Sequence, residues 1–169
     1  LSLCGVLLFY SQNMRDIGET MLDHTDSQLL KALQKNAHLT AQELGDLLNL
    51  SPSQAGRRRR RLEQDGYILG FQARLDATRL GLSVQAFIQV SMVTHTPEAA
   101  RSFQTLIQTR PEVVSAWTLT GEADYLLRVY CTDLGELNQL VHKIFLPHSA
   151  VARVQSQIVM DQTKPDAPL

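Results

Sequence analysis

Cysteine is scarce in this chain. Among 169 residues there are two, Cys4 and Cys131, and neither sits in a Cys-x-x-Cys pair. That leaves no disulfide framework and no zinc site to expect, and it fits a reducing cytoplasm. The five histidines are scattered without ligand spacing, so no metal or other cofactor is expected. Long apolar runs are also missing. Residues 1–10 read LSLCGVLLFY, too short to cross a bilayer and without the basic leader of a secretory signal, so no membrane partner is expected. The run reads as an extension outside the fold, with Met14 or Met21 as natural starting points, or as an element that packs on a partner subunit. Aromatic residues make up only 6%, and no aromatic-bearing motif of the kind that stacks single-stranded RNA is present. Net charge is −1, so the total says nothing about nucleic acid.

What is present is patterned. Apolar residues at 44% and charged residues at 20% support packed cores rather than disorder. Residues 21–80 carry nine Lys/Arg against seven Asp/Glu, and residues 81–169 carry six against eight. The basic function therefore belongs to the first half. Three helix starts follow in quick succession there. Asp23 caps the first helix, with Asp26 at its third position and Leu29, Leu30 and Leu33 at helical spacing. Asn36 and His38 fall where it should end. Thr40-Ala41-Gln42-Glu43 is a capping box for a second, short helix with Leu44, Leu47 and Leu48 as its stripe. Ser51-Pro52-Ser53-Gln54 opens a third, which runs through Arg57–Arg61 and stops at Gly66. Two short helices joined by a tight turn, the second basic, form a helix-turn-helix pattern. Residues 67–75 look extended, as a wing strand or a tether.

The second half switches period. Val84, Ala86, Ile88, Val90 and Met92 alternate with polar or half-polar neighbours, as in a strand with one apolar face. Thr96-Pro97-Glu98 opens a helix with Ala99, Ala100, Phe103, Leu106 and Ile107 on its stripe. Strands are expected over 113–120 and 125–131, with a turn at 121–124 between them. Asp133-Leu134-Gly135-Glu136 opens another helix, with Leu137, Leu140, Val141 and Ile144 inward. A last strand is expected over 151–160. The order βαββαβ is the ferredoxin-like arrangement. Its helices cover one face of the sheet and leave the other free for a second copy. The expected organisation is an N-terminal extension (1–20), a helix-turn-helix domain (21–75), a linker (76–82), a ferredoxin-like domain (83–162) and a loose tail (163–169). The fold class is α+β, an N-terminal winged helix-turn-helix plus a C-terminal ferredoxin-like domain.

These motifs in this order resemble the Lrp/AsnC regulators. The residues that carry the resemblance are Leu22, Asp23 and Asp26, then Leu50, Ser51, Arg58, Leu62, Glu63, Gly66, Ile68 and Gly70, then Gly121, Asp124 and Tyr125. They span about residues 21–162. The resemblance implies a transcription factor that binds double-stranded DNA, dimerises through its C-terminal domain, and assembles further into tetramers or octamers. It also implies a small effector, usually an amino acid, held between C-terminal domains of adjoining dimers near the Gly-x-x-Asp-Tyr turn. One position departs from the family, where an apolar residue is usual and this chain has Arg59. It shares a stripe with Ala55 and Leu62 and must either snorkel to solvent or find an acidic partner.

Five consecutive arginines on a helix cannot face one way, because each residue turns by about 100°. Recognition helices read bases mainly from their N-terminal residues. Base contact is therefore expected from Ser53, Gln54 and Arg57, backbone contact from Arg58, Arg60 and Arg61, and capping from Ser51. The alternative is a solvated face or a salt-bridge cluster with Glu63 and Asp65. Thr120, Gly121, Glu122, Asp124 and Tyr125 form the candidate effector turn. There Gly121 permits an unusual backbone angle and Asp124 is placed to accept from an α-ammonium group. The alternative is an ordinary hairpin turn that Asp124 caps. Trp117 is expected in the core or an interface, and Met92 and Met160 as sheet fillers. Cys131 and His142 have no orienting third group, so no catalytic site is expected. A chain that binds an amino acid but has lost productive DNA binding is the rival function.

Overall fold

The computed structural model describes residues 22–169. The expectations for residues 1–20 lie outside the described residues. The described residues form two compact units, one comprising residues 22–73 together with Asp166–Leu169, the other Arg74–Pro165.

In the first unit, α1 (His24–Lys35), α2 (Ala41–Leu48) and α3 (Pro52–Gln64) each begin with a reciprocal capping box, on Asp23/Asp26, Thr40/Glu43 and Ser51/Gln54. Each box satisfies two backbone donors that the first helical turn would leave orphaned. α3 ends in a paired-bond stop: Tyr67 N–H donates to Leu62 C=O and Gly66 N–H to Glu63 C=O, with Gly66 at φ +78°. Leu29, Leu33, Leu44, Ala55 and Leu62 are buried at the centre, and Leu48, Leu50 and Ile68 pack around them. Leu47, expected on the inward stripe, is exposed instead. The reason is Gly45, which is buried: a Cβ there would stand 2.7 Å from the Leu50 carbonyl oxygen. The tight turn after α2, with Asn49 at φ 53°, folds back over the Gly45 side of the helix and leaves the Leu47 side to solvent. No strand forms over residues 67–75.

In the second unit, four strands form one antiparallel sheet in the order β2-β3-β1-β4. They are β1 (Val84–Met92), β2 (Val113–Thr118), β3 (Tyr125–Cys131) and β4 (Val151–Ile158). β2 and β4 each stop two residues short of expectation. Met160 therefore lies beyond β4 and is fully exposed, whereas Met92 is buried as expected. Ala86, Ile88, Val90 and Met92 face the helices beside Leu127, Val129 and Cys131. α4 (Pro97–Gln108) contributes Phe103 and Ile107 to this core. α5 (Leu134–Gln139) runs on into a π-helical stretch, Leu140–Phe145, marked by Leu146 N–H donating to Val141 C=O. The wider turn advances the inward face by one residue, so Phe145 is fully buried where Ile144 was expected, and Ile144 is only half-buried. The opposite face of the sheet carries Phe87 across from Arg128 and Gln89 across from Leu126, with Trp117 half-exposed beside Leu126.

Candidate nucleic-acid interface and effector turn

α3 sorts its arginines by helical geometry. Ser53, Arg57, Arg60 and Gln64, at i, i+4, i+7 and i+11, lie on one exposed face. Arg57 makes no bond within the described residues. The Arg60 Nε donates to the Gly56 carbonyl at 3.3 Å, leaving its terminal nitrogens outward. Arg57 and Arg60 line two adjoining surface clefts, one completed by Ser51, Ser53 and Gln54, the other by Gln64. Gln54 divides its work: its carbonyl oxygen accepts from Ser51 N–H at 3.0 Å, and its amide nitrogen has no partner among the described residues. Gln64 belongs to this row and was missed by the sequence argument. Continuing the i+4 spacing past Arg60 would have found it.

Arg58 and Arg61, expected at the DNA backbone, also bond within the unit. Both turn toward α1, where Asp26 is 1% exposed. The Arg58 Nη1 donates to Asp23 at 2.6 Å and to Asp26 at 2.8 Å, and the Arg61 Nη2 donates to Asp26. A buried carboxylate is costly unless paired and hydrogen-bonded, and these two guanidiniums meet that need. The Asp26 N–H, reinforced by Arg58, holds the Asp23 carboxyl below its ordinary value, and hydrogen bonds to the Asp23 and then the Asp26 carboxylate raise Arg58. Arg58, at 27% exposure, is committed to this cluster, while Arg61 retains more open surface at 44%.

Arg59 finds both an acidic partner and a cover. Its Nε donates to Glu63 at 3.0 Å, its Nη1 to the Leu39 carbonyl at 3.2 Å, and its guanidinium lies 4.7 Å from the Phe71 ring centroid. The stem follows the buried stripe while the head is satisfied at the edge. Ala55 and Leu62 remain fully buried, so the family departure at this position leaves the seat of α3 intact.

The turn between β2 and β3 exposes Thr120, Gly121 and Glu122, with Gly121 at φ +121°. Asp124 closes the turn: its Oδ2 accepts from Met92 N–H at 2.7 Å, and its Oδ1 lies 2.7 Å from His95 Nε2. Asp124 thus caps the end of β1 rather than the backbone of its own hairpin. Tyr125, expected at the effector turn, directs its ring inward. Its side chain is 6% exposed and stacks 5.0 Å from Phe103, inside the core rather than at the turn surface, because it starts the alternation of β3. Burial pushes its phenol upward, an effect only partly offset by a hydrogen bond with Gln104. Tyr125 also borders a cleft of about 360 Å³ between α4 and the edge strand β2, lined by Gln104, Gln108, Ala116 and Thr118. The sequence argument did not foresee this cleft, since the two lining segments meet only in the fold. The Cys131 thiol is pushed up to about 11 by burial and by neighbouring carboxylates, and His142 is exposed on the π-helical stretch, so the two do not form a nucleophile and base.

A family model described as the Lrp/AsnC ligand binding domain matches residues 85–169, and one described as winged helix-turn-helix DNA-binding matches residues 22–68. The chain belongs to the Lrp/AsnC family of transcriptional regulators. It is 33% identical to the DNA-binding transcriptional activator DecR of Escherichia coli K12, over 85% of this chain and 95% of that protein. It is 29% identical to the leucine-responsive regulatory protein of the same strain, over 85% and 87%. Among solved structures, it resembles a transcriptional regulator from Neisseria meningitidis in complex with L-methionine, with a TM-score of 0.83, 37% identity, and coverage of 88% of this chain and 96% of that one. No helix among the described residues is long and apolar enough to cross a membrane.

Proposed function

We propose that the chain is a cytoplasmic, non-enzymatic regulator that dimerises, reads a pseudo-palindromic DNA duplex through α3, and changes its assembly and DNA affinity when an amino acid binds. The observation that carries this is the outward row of Ser53, Arg57, Arg60 and Gln64 on a capped second helix of a helix-turn-helix. Gln54 joins it, and Arg58 and Arg61 brace the helix from behind. Two such helices related by a two-fold axis meet half-sites about one helical turn, or a multiple, apart. The half-buried sheet face bearing Phe87, Leu126 and Trp117 is the surface for the second copy, and larger assemblies build on that dimer. The methionine in the Neisseria relative supports an amino acid as effector, with the exposed turn at Thr120, Gly121, Glu122 and Asp124 as its seat.

Binding to a labelled duplex from the DNA just upstream of this protein's own coding region, and to genomic fragments, tests this at two salt concentrations and with each amino acid. Specific binding that Arg57→Ala and Arg60→Ala weaken, each lowering the salt slope by about one, supports the proposal. Binding that no amino acid alters keeps the regulator and discards the effector. Amino-acid binding without retention of any duplex favours the rival, a sensor without productive DNA binding.

A further inference from the structure

An amino acid presents two charges to its receptor, and the β2–β3 turn offers a feature suited to each. Among the described residues, the backbone N–H groups of Thr120, Gly121, Glu122 and Ala123 donate to no acceptor within the chain, whereas Leu119 N–H and Asp124 N–H are paired on either side. Successive unpaired N–H groups around a glycine at positive φ suit a carboxylate. For the ammonium the turn offers Asp124, and here the structure holds an unexpected occupant. Oδ2 accepts from Met92 N–H at the end of β1, and His95 Nε2 sits on the other oxygen, Oδ1, at 2.7 Å. His95 belongs to the loop between β1 and α4 and is 76% exposed, while Asp124 is 25% exposed. The imidazole can therefore swing into water, with the Met92 contact still holding the carboxylate in place.

We propose that His95 is an internal stand-in for the effector's ammonium group: it occupies the outer oxygen of Asp124 in the free protein and must leave when an amino acid binds. This rests on the turn being the effector seat. The ring makes the unliganded turn self-satisfied and sets a threshold on affinity, because a ligand gains only the difference between its own contact and the one it displaces. A ligand with no ammonium has no reason to displace His95. His95 is thus a specificity-determining residue that acts by competition.

The test is calorimetric binding of the twenty L-amino acids to the full chain and to His95→Ala, followed by the 2-hydroxy acid that corresponds to the tightest binder. An exposed pair of this kind is worth a factor of about two to five. His95→Ala should therefore bind the amino acid about two- to fivefold tighter and the hydroxy acid unchanged. The ring resonances of His95 in the unmodified protein should move to a solvent-exposed position on saturation. Equal affinities for the amino acid, or equal tightening for both ligands, overturns the stand-in while leaving the seat. Asp124→Asn, which keeps an oxygen for Met92 N–H, separates the two ideas: it should weaken the amino acid by about tenfold or more. Unchanged binding to Asp124→Asn, or no amino-acid binding to any form, overturns the seat and the stand-in together.

Discussion

Asp26→Asn is the most informative perturbation of the helix-turn-helix unit. The carboxylate is 1% exposed and receives Arg58 at 2.8 Å as well as Arg61. Asparagine keeps the shape but removes the charge and turns one acceptor into a donor facing a guanidinium. Removing one partner of a buried ion pair costs about 3–5 kcal/mol where the other charge is stranded. Here Arg58 keeps Asp23, and both guanidiniums reach solvent, so the cost falls to about 2 kcal/mol. For a domain of this size class that lowers the midpoint by about 8–16 °C. Circular dichroism at 222 nm during heating follows the helices. A midpoint within about 2 °C of the unmodified protein refutes the argument. A second check is the cycle with Arg58→Ala. The two substitutions should be non-additive by more than about 0.5 kcal/mol, and additivity would show that Asp26 does not act through the arginines.

Gly45→Ala should destabilise although it sits in a helix, where alanine normally gains about 1 kcal/mol. The new Cβ would meet the Leu50 carbonyl at 2.7 Å, a backbone atom that cannot rotate away. A net loss of about 1 kcal/mol is expected in the urea midpoint, and a gain would contradict the close turn. Acid should weaken the first unit through its caps. The Asp23 carboxyl is held below its ordinary 3.8, first by Asp26 N–H and then by Arg58, and Glu43 below 4.5, first by Thr40 N–H and then by the Thr40 hydroxyl. A lowered folded value means that this stability is complete above the ordinary values and drains as pH falls through the lower ones. Melting midpoints should therefore stay flat from pH 7 to about 5 and drop below that. Thr40→Ala should make the drop shallower by removing one cap. Phe71→Ala should cost about 1 kcal/mol by uncovering Arg59, read from the same urea curves.

The sequence determined the elements. The boxes at Asp23, Thr40 and Ser51 placed three helix starts to the residue, because a cap is a local contract between side chain and nearby backbone. Alternation along β1 and β3 fixed which residues face the helices, and the glycines at Gly66 and Gly121 marked two of the backbone positions with positive φ. The order of these signals was enough to place the chain in its family. What the tertiary structure decided were the partners. Composition and spacing showed five arginines but not that Asp26, on another helix, is buried and claims two of them. They showed Asp124 at a turn but not that a strand end and His95 already occupy its oxygens. They put Tyr125 in a motif, while the pleat turned its ring into the core. Local rules govern bonds between near neighbours in the chain. Which charge is spent inward and which is left for a ligand depends on contacts between residues some thirty apart, and only the packed fold brings those together.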